Sequence, residues 1–256
     1  AKLSIFCGMT KFFSDADVSF QAFLRIFVAM NIIFDPKIRA AAPGLEVLLI
    51  EADVTNTPTS DALWNEIEDA CASIKEHYAI EDIRHRPAID ATRTAYKACG
   101  KEPNRYRPSA EALCRRAVKG LDLYRTLTLI DLINLISLLT GHSIGGFDTG
   151  RFVGDTLTLG IGQEGEPFEA IGRGPLNIAG LPVYRDAVGG VGTPTSDNER
   201  TKLSEGTKHI TMTVNLYGPG EQSKEEIEAI ALRLLRAYAS ASNIETSYHP
   251  TSHENI

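Results

Sequence analysis

The segment "TLTLIDLINLISLLTG" (126–141) is apolar nearly all round. A helix with no polar face has to be buried on every side. The chain must therefore bury this segment as a helix in its core. Asp131 and Asn134 interrupt it at i, i+3. Buried polar groups need partners, so these two either hold neighbouring backbone or line a cavity.

The surrounding pattern fits that requirement. "LEVLLIEADV" (45–54) reads as a buried strand. A helix follows, capped by Thr59 or Ser60, with Leu63, Trp64, Ile67, Cys71 and Ile74 at helical spacing. Further helices are expected from about Pro87 to Cys99 and over 107–120, each stopped by a glycine. After "GHSIGGFDTG" the period changes. "DTLTLGIG" (155–162), "LPVYRD" (181–186) and "KHITMTVNLY" (208–217) read as strands, the last half-buried. "SKEEIEAIALRLLRAYA" (223–239) is a helix whose Ser223 and Glu226 form a capping box. Helices crowd the first half and strands the second, the order of an α+β domain with a mixed sheet. The domain is expected over 30–240, followed by a polar, mobile tail over 241–256. Six of the ten phenylalanines lie before residue 30, so residues 1–29 are read as an atypical N-terminal extension.

Several chemistries find no support in the residues. There is no P-loop, no GxSxG elbow, no HExxH pair and no paired CxxC. No metal and no cofactor are expected. No apolar run reaches the length of a membrane span, and the four cysteines (Cys7, Cys71, Cys99, Cys114) read as reduced thiols of a cytoplasmic protein.

Three places can carry function. Residues 84–125 hold eleven Lys/Arg against four acids, although the formal net charge is -7. Arg93, Arg105, Arg107, Arg115, Arg116 and Lys119, interleaved with tyrosines, are the candidates for RNA contact. The exit of the apolar helix, "IDLINLISLLTGHSIGGFD" (130–148), offers Asp131, Asn134, His142 and Asp148 for a pocket. The stretch "PVYRDAVGGVGTPTSDNERTKLSEGT" (182–207) packs few large apolar side chains and is long for a connection. Its "GGVG", including Gly189 and Gly190, is read as a backbone nest for an anion. Its Ser196, Asp197, Glu199, Arg200 and Thr201 are candidate ligand contacts.

These segments, with "RPAIDATRTAYKACGKEPNRYRPSAEALCRRAVKG" before them, resemble in order the B3/B4 domain of the phenylalanyl-tRNA synthetase beta subunit, and more closely free-standing proteins built from that domain. The likeness covers roughly residues 60–235. It implies a three-layer β/β/α arrangement, and a tRNA or aminoacyl-tRNA as partner. In the synthetase this domain is an editing site that hydrolyses tyrosine wrongly attached to the phenylalanine tRNA. If the chain is an enzyme, the resemblance implies an aminoacyl-tRNA deacylase acting in trans, not a ligase. Two departures leave the catalytic residues unassigned. The family's histidine two residues before Phe-Asp is Gly145 here, and "TKHITMTVNLY" supplies His209 but no glutamate. His142, Asp148, Asp197 or His209 are the groups able to substitute. The alternatives are a non-catalytic tRNA or amino-acid binding module, or a small-molecule enzyme reusing the pocket. A homodimer through the final helix is a further expectation.

Overall fold

The computed structural model describes residues 30–252; the extension expected over 1–29 lies outside the described residues. Two four-stranded sheets and a helical layer make an α+β fold. The first sheet has the order β1-β4-β7-β8: β1 (Asn31–Phe34), β4 (Thr156–Ile161), β7 (Pro182–Arg185) and β8 (Gly190–Gly192). The second has the order β10-β2-β9-β3: β10 (Ser242–Pro250), β2 (Glu46–Asp53), β9 (His209–Leu216) and β3 (Ile144–Asp148). A small hairpin pairs β5 (Glu169–Ala170) with β6 (Gly174–Pro175).

The helices are α1 (Pro36–Ala41), α2 (Asp61–His77), α3 (Pro87–Ala98), α4 (Ser109–Val118), α5 (Thr128–Thr140) and α6 (Lys224–Tyr238). Their ends follow the expected local chemistry. Ser60 accepts from Leu63 N–H at the start of α2, and Ser223 and Glu226 close a capping box on α6. Gly141, at φ +74°, ends α5 in the left-handed region. The all-apolar α5 is the centre of the helical layer, touching α2, α4 and α6.

Side chains alternate across the second sheet. Leu48 and Ile50 of β2 and Met212 and Val214 of β9 join the core with Leu63, Ile67, Leu132, Ile136, Ala231 and Leu234 from the helices. The opposite face of β9 meets the first sheet. There Tyr184 Oη donates to Asn215 Oδ1 at 2.7 Å, and the Phe147 ring packs against Phe152 and Tyr184. This gives the three layers, β/β/α.

The structure corrects three expectations. β9 is not half-buried: Thr211, Thr213 and Asn215, which read as a solvent face, are buried because the first sheet covers them. Residues 242–250 are not a mobile tail but form edge strand β10, paired with β2 from Ser242–Asp53 to Pro250–Glu46. That strand is exposed on much of its length, so its sequence lacks an apolar alternation. The 182–207 stretch is not an unpacked loop, since it contains β7, β8 and a 3₁₀ turn at Glu199–Thr201, and residues 191–195 are buried.

Candidate functional site

A cleft of about 380 Å³ opens between α5, β3 and the segment that follows β8. One stripe of α5 faces it: Ile130, Ile133, Asn134 and Ser137, spaced i, i+3, i+4 and i+7. Gly146 of β3 contributes backbone, and Thr193, Ser196, Asp197, Lys202 and Leu203 form the opposite wall. Ser109, at the start of α4, closes one end.

Asp197 is the chemically distinctive group. It accepts from Gly146 N–H at 3.1 Å, and no cation pairs with it among the described residues. Burial raises its pKa to about 7, against the opposing pull of that one hydrogen bond. A carboxyl poised there can take or give a proton at neutral pH, or receive an ammonium group.

Beside the cleft lies a trough of about 540 Å³. Arg105, Arg107, Arg115, Arg116, Lys119 and Arg173 line it, with Tyr106, and among the described residues no acidic side chain does. Ser109 and Asn134 line both cavities, so the two adjoin. The arginines are organised from below by Glu111, which is 1% exposed. It meets Arg93 at 2.7 Å, Arg107 at 3.8 Å and Arg115 at 3.9 Å. Arg105 stacks on Tyr106. Arg105, Lys119 and Arg173 have no acidic partner among the described residues.

Of the pocket residues expected from sequence, Asn134, Ser196 and Asp197 meet in the cleft. The others do structural work. Asp131 holds the chain before α5, accepting from Thr59 Oγ1, Thr126 N–H (2.8 Å) and Thr126 Oγ1 (3.0 Å). Asp148 accepts from Gly150 N–H and Thr207 Oγ1, both at 3.0 Å. Arg200 reaches both oxygens of Asp186, at 2.7 and 2.9 Å. Glu199 takes Lys202 and Gly172 N–H, and Thr201 Oγ1 donates to Val191 O. His142 is 1% exposed, with Nδ1 on Asn215 O at 3.2 Å. Burial first, and Arg86 second, lower its pKa to about 4, against that hydrogen bond. It borders a different cavity, under Gly218–Gln222.

The anion nest is also corrected. Gly190 and Gly192 are strand residues of β8. The N–H groups of Val188 and Gly189 both point at Asp186 Oδ1, at 3.0 and 3.1 Å, so the protein's own carboxylate fills that cradle. Among the basic residues, Arg93 turns inward to Glu111 and Asn104 rather than to the trough. At Gly145 a Cβ would stand 2.7 Å from Thr213 Oγ1 and from the Phe147 ring, so the strand leaves no room there for the histidine of the synthetase. His209 pairs with Asp53, on the paired edge between β9 and β2, and does not line the cleft.

A model of the B3/4 domain family matches residues 91–229, more than half of the chain. The protein belongs to the B3/4 domain family. Both cavities are lined almost wholly by residues inside that match, from Arg105 to Leu203. Among solved structures, the B3/4 chain is similar to an N-terminal fragment of the phenylalanyl-tRNA synthetase beta-subunit from Pyrococcus horikoshii. The two are 13% identical with a TM-score of 0.41; the match covers 86% of this chain and 54% of that one. The B3/4 chain thus spans about half the length of that neighbour. No curated protein matches it.

Sequence reasoning missed the residues that complete the site. Arg173 sits in the turn of the β5–β6 hairpin, outside the basic run. Glu111 reads as an ordinary acid on a helix face. Ser109 reads as the start of α4 and nothing more.

Proposed function

We propose that this B3/4 domain binds the aminoacylated 3′ end of a tRNA. The trough takes the phosphodiester backbone and the cleft takes the aminoacyl group. The observation that carries this reading is that the two cavities adjoin at Ser109 and Asn134: among the described residues one has a single uncompensated carboxyl, and the other has only cations as its charged groups. A charged aminoacyl-RNA end has the matching layout, with an α-ammonium at one side of the ester and phosphates at the other. Arginine and lysine hold phosphate.

Asp197 is then the group that meets the α-ammonium. Hydrolysis is the activity this reading assigns. Water adds to the ester carbonyl, the ester C–O bond breaks, and the proton lost by the water passes to the departing ribose oxygen. A binding role without turnover is the second reading. It is favoured by Gly145, whose surroundings exclude the side chain the family places there.

Incubation of the protein with a mixed pool of aminoacylated tRNAs tests both. Release of one or two amino acids above the protein-free rate is the expected result. Retention of aminoacyl-tRNA without release supports the binding role. Neither release nor retention overturns the proposal and turns attention to a small-molecule ligand.

A further inference from the structure

We propose that the cleft selects an aliphatic side chain on the ligand, and that Ile133 sets the size it accepts. The inference deepens the aminoacyl reading above and rests on it.

The stripe of α5 that faces the cleft changes character halfway along. Its first half is Ile130 and Ile133, and its second half is Asn134 and Ser137. Ile144 and Ile171 add apolar surface to the lining. Leu203 approaches Ile133 over Gly146: a Cβ added at Gly146 would collide with Ile133 Cδ1 and lie 3.3 Å from Leu203 Cδ1. Ser109 lies at the second half, where its N–H donates to Pro194 O at 2.7 Å, next to Thr193. That polar half adjoins the trough at Ser109 and Asn134. Asp197 lies between the halves, on Gly146 N–H.

An aminoacyl group laid across this surface is fixed in direction. Its phosphate side belongs to the trough, its ester to the polar half and its α-ammonium to Asp197. The side chain is left facing Ile130, Ile133 and Leu203. Among the described residues, no aromatic side chain lines the cleft. Its two charged residues are Asp197, taken by the ammonium, and Lys202, whose Nζ is drawn 2.5 Å from Glu199 Oε2. A hydroxyl or a charge on the ligand side chain would lose water there and gain no partner. Added methylene groups gain from burial until Ile133 is reached.

Isothermal titration with the amides of leucine, isoleucine, phenylalanine, tyrosine, serine and lysine tests this, because an amide keeps the α-ammonium and cannot be hydrolysed as an ester. The expected result is binding of leucinamide and isoleucinamide about 10-fold or more tighter than serinamide, lysinamide and tyrosinamide. Asp197→Asn weakens all of them together. Ile133→Ala moves the preference about 10-fold toward phenylalaninamide, and Ile133→Val, a smaller change that keeps the core filled, moves it the same way by less. Tightest binding of tyrosinamide, serinamide or lysinamide overturns the selectivity and leaves the aminoacyl reading standing. An unchanged ranking in both Ile133 variants removes that residue from the role. No binding of any amide overturns the aminoacyl reading, and the inference with it.

Discussion

The cleft and the trough share Ser109 and Asn134, yet they treat charge in opposite ways. In the cleft one carboxyl is enclosed, without a cation, and burial holds its pKa near 7. In the trough six cations stand at or near the surface, and one buried carboxylate beneath them pairs with three arginines. The difference teaches how one domain builds two kinds of site side by side. A proton-transfer or ammonium site needs a group left unpaired. A phosphate site needs positive charge held apart and pointed outward, which requires an internal counter-charge.

The largest expected effect breaks the trough from beneath. Glu111→Gln leaves the buried Arg93 guanidinium without its counter-charge, and should cost about 3–5 kcal/mol in chemical denaturation. A loss under about 1 kcal/mol would mean that the arginines hold their places without it.

The second prediction acts on the cleft, and its sign runs the other way. The ordinary carboxyl pKa of 3.8 is raised in the folded protein to about 7. Folding therefore disfavours the ionised form. Asp197 costs nothing below about pH 4, and stability is lost as pH rises from there through 7. Asp197→Asn should match the parent at pH 4 and be more stable at pH 8, by on the order of 3 kcal/mol. Denaturation curves at the two pH values check this; equal stability at both would show that Asp197 is better solvated than its surroundings imply.

Third, reversing Arg116, Lys119 and Arg173 to Glu should weaken tRNA retention by about 100-fold near 0.1 M salt and flatten its salt dependence. Binding of leucinamide in the cleft should stay within about twofold. Parallel loss of both would mean that the cavities do not act separately.

The smallest effect separates structure from site. Arg200→Ala breaks the pair with Asp186, whose side chain is 1% exposed and keeps the N–H groups of Val153, Val188 and Gly189, and should cost about 1–2 kcal/mol. It should leave amide binding unchanged. A selective loss of binding would return Arg200 to the site.

Much of this comparison was legible in the chain itself. The all-apolar 126–141 segment required a buried helix, and α5 is that helix. Capping residues and glycine stops placed α2 to α6 closely. The basic run 84–125 supplied five of the six trough cations. What stayed hidden was set by pairing across distance. Arg173 joins the trough from a hairpin some fifty residues beyond α4. Asp186 fills the backbone cradle that glycine-rich sequence seemed to offer to a ligand. β10 escaped notice because an exposed edge strand carries no apolar alternation, and the polar face of β9 was misread because a second sheet, not water, covers it. Polar residues between two sheets look the same in sequence as polar residues facing solvent. Asp197 was legible as a loop acid; its lack of a partner was not.

The central claim is that an aminoacylated RNA end lies across both cavities at once. The most direct measurement is the affinity for an RNA carrying a non-hydrolysable amide-linked aminoacyl group at its 3′ end, set against the same RNA uncharged. The account predicts binding about 10-fold or more tighter for the charged form, with the advantage lost in Asp197→Asn and kept, at lower overall affinity, in the trough variant. Equal affinity for charged and uncharged RNA would contradict it.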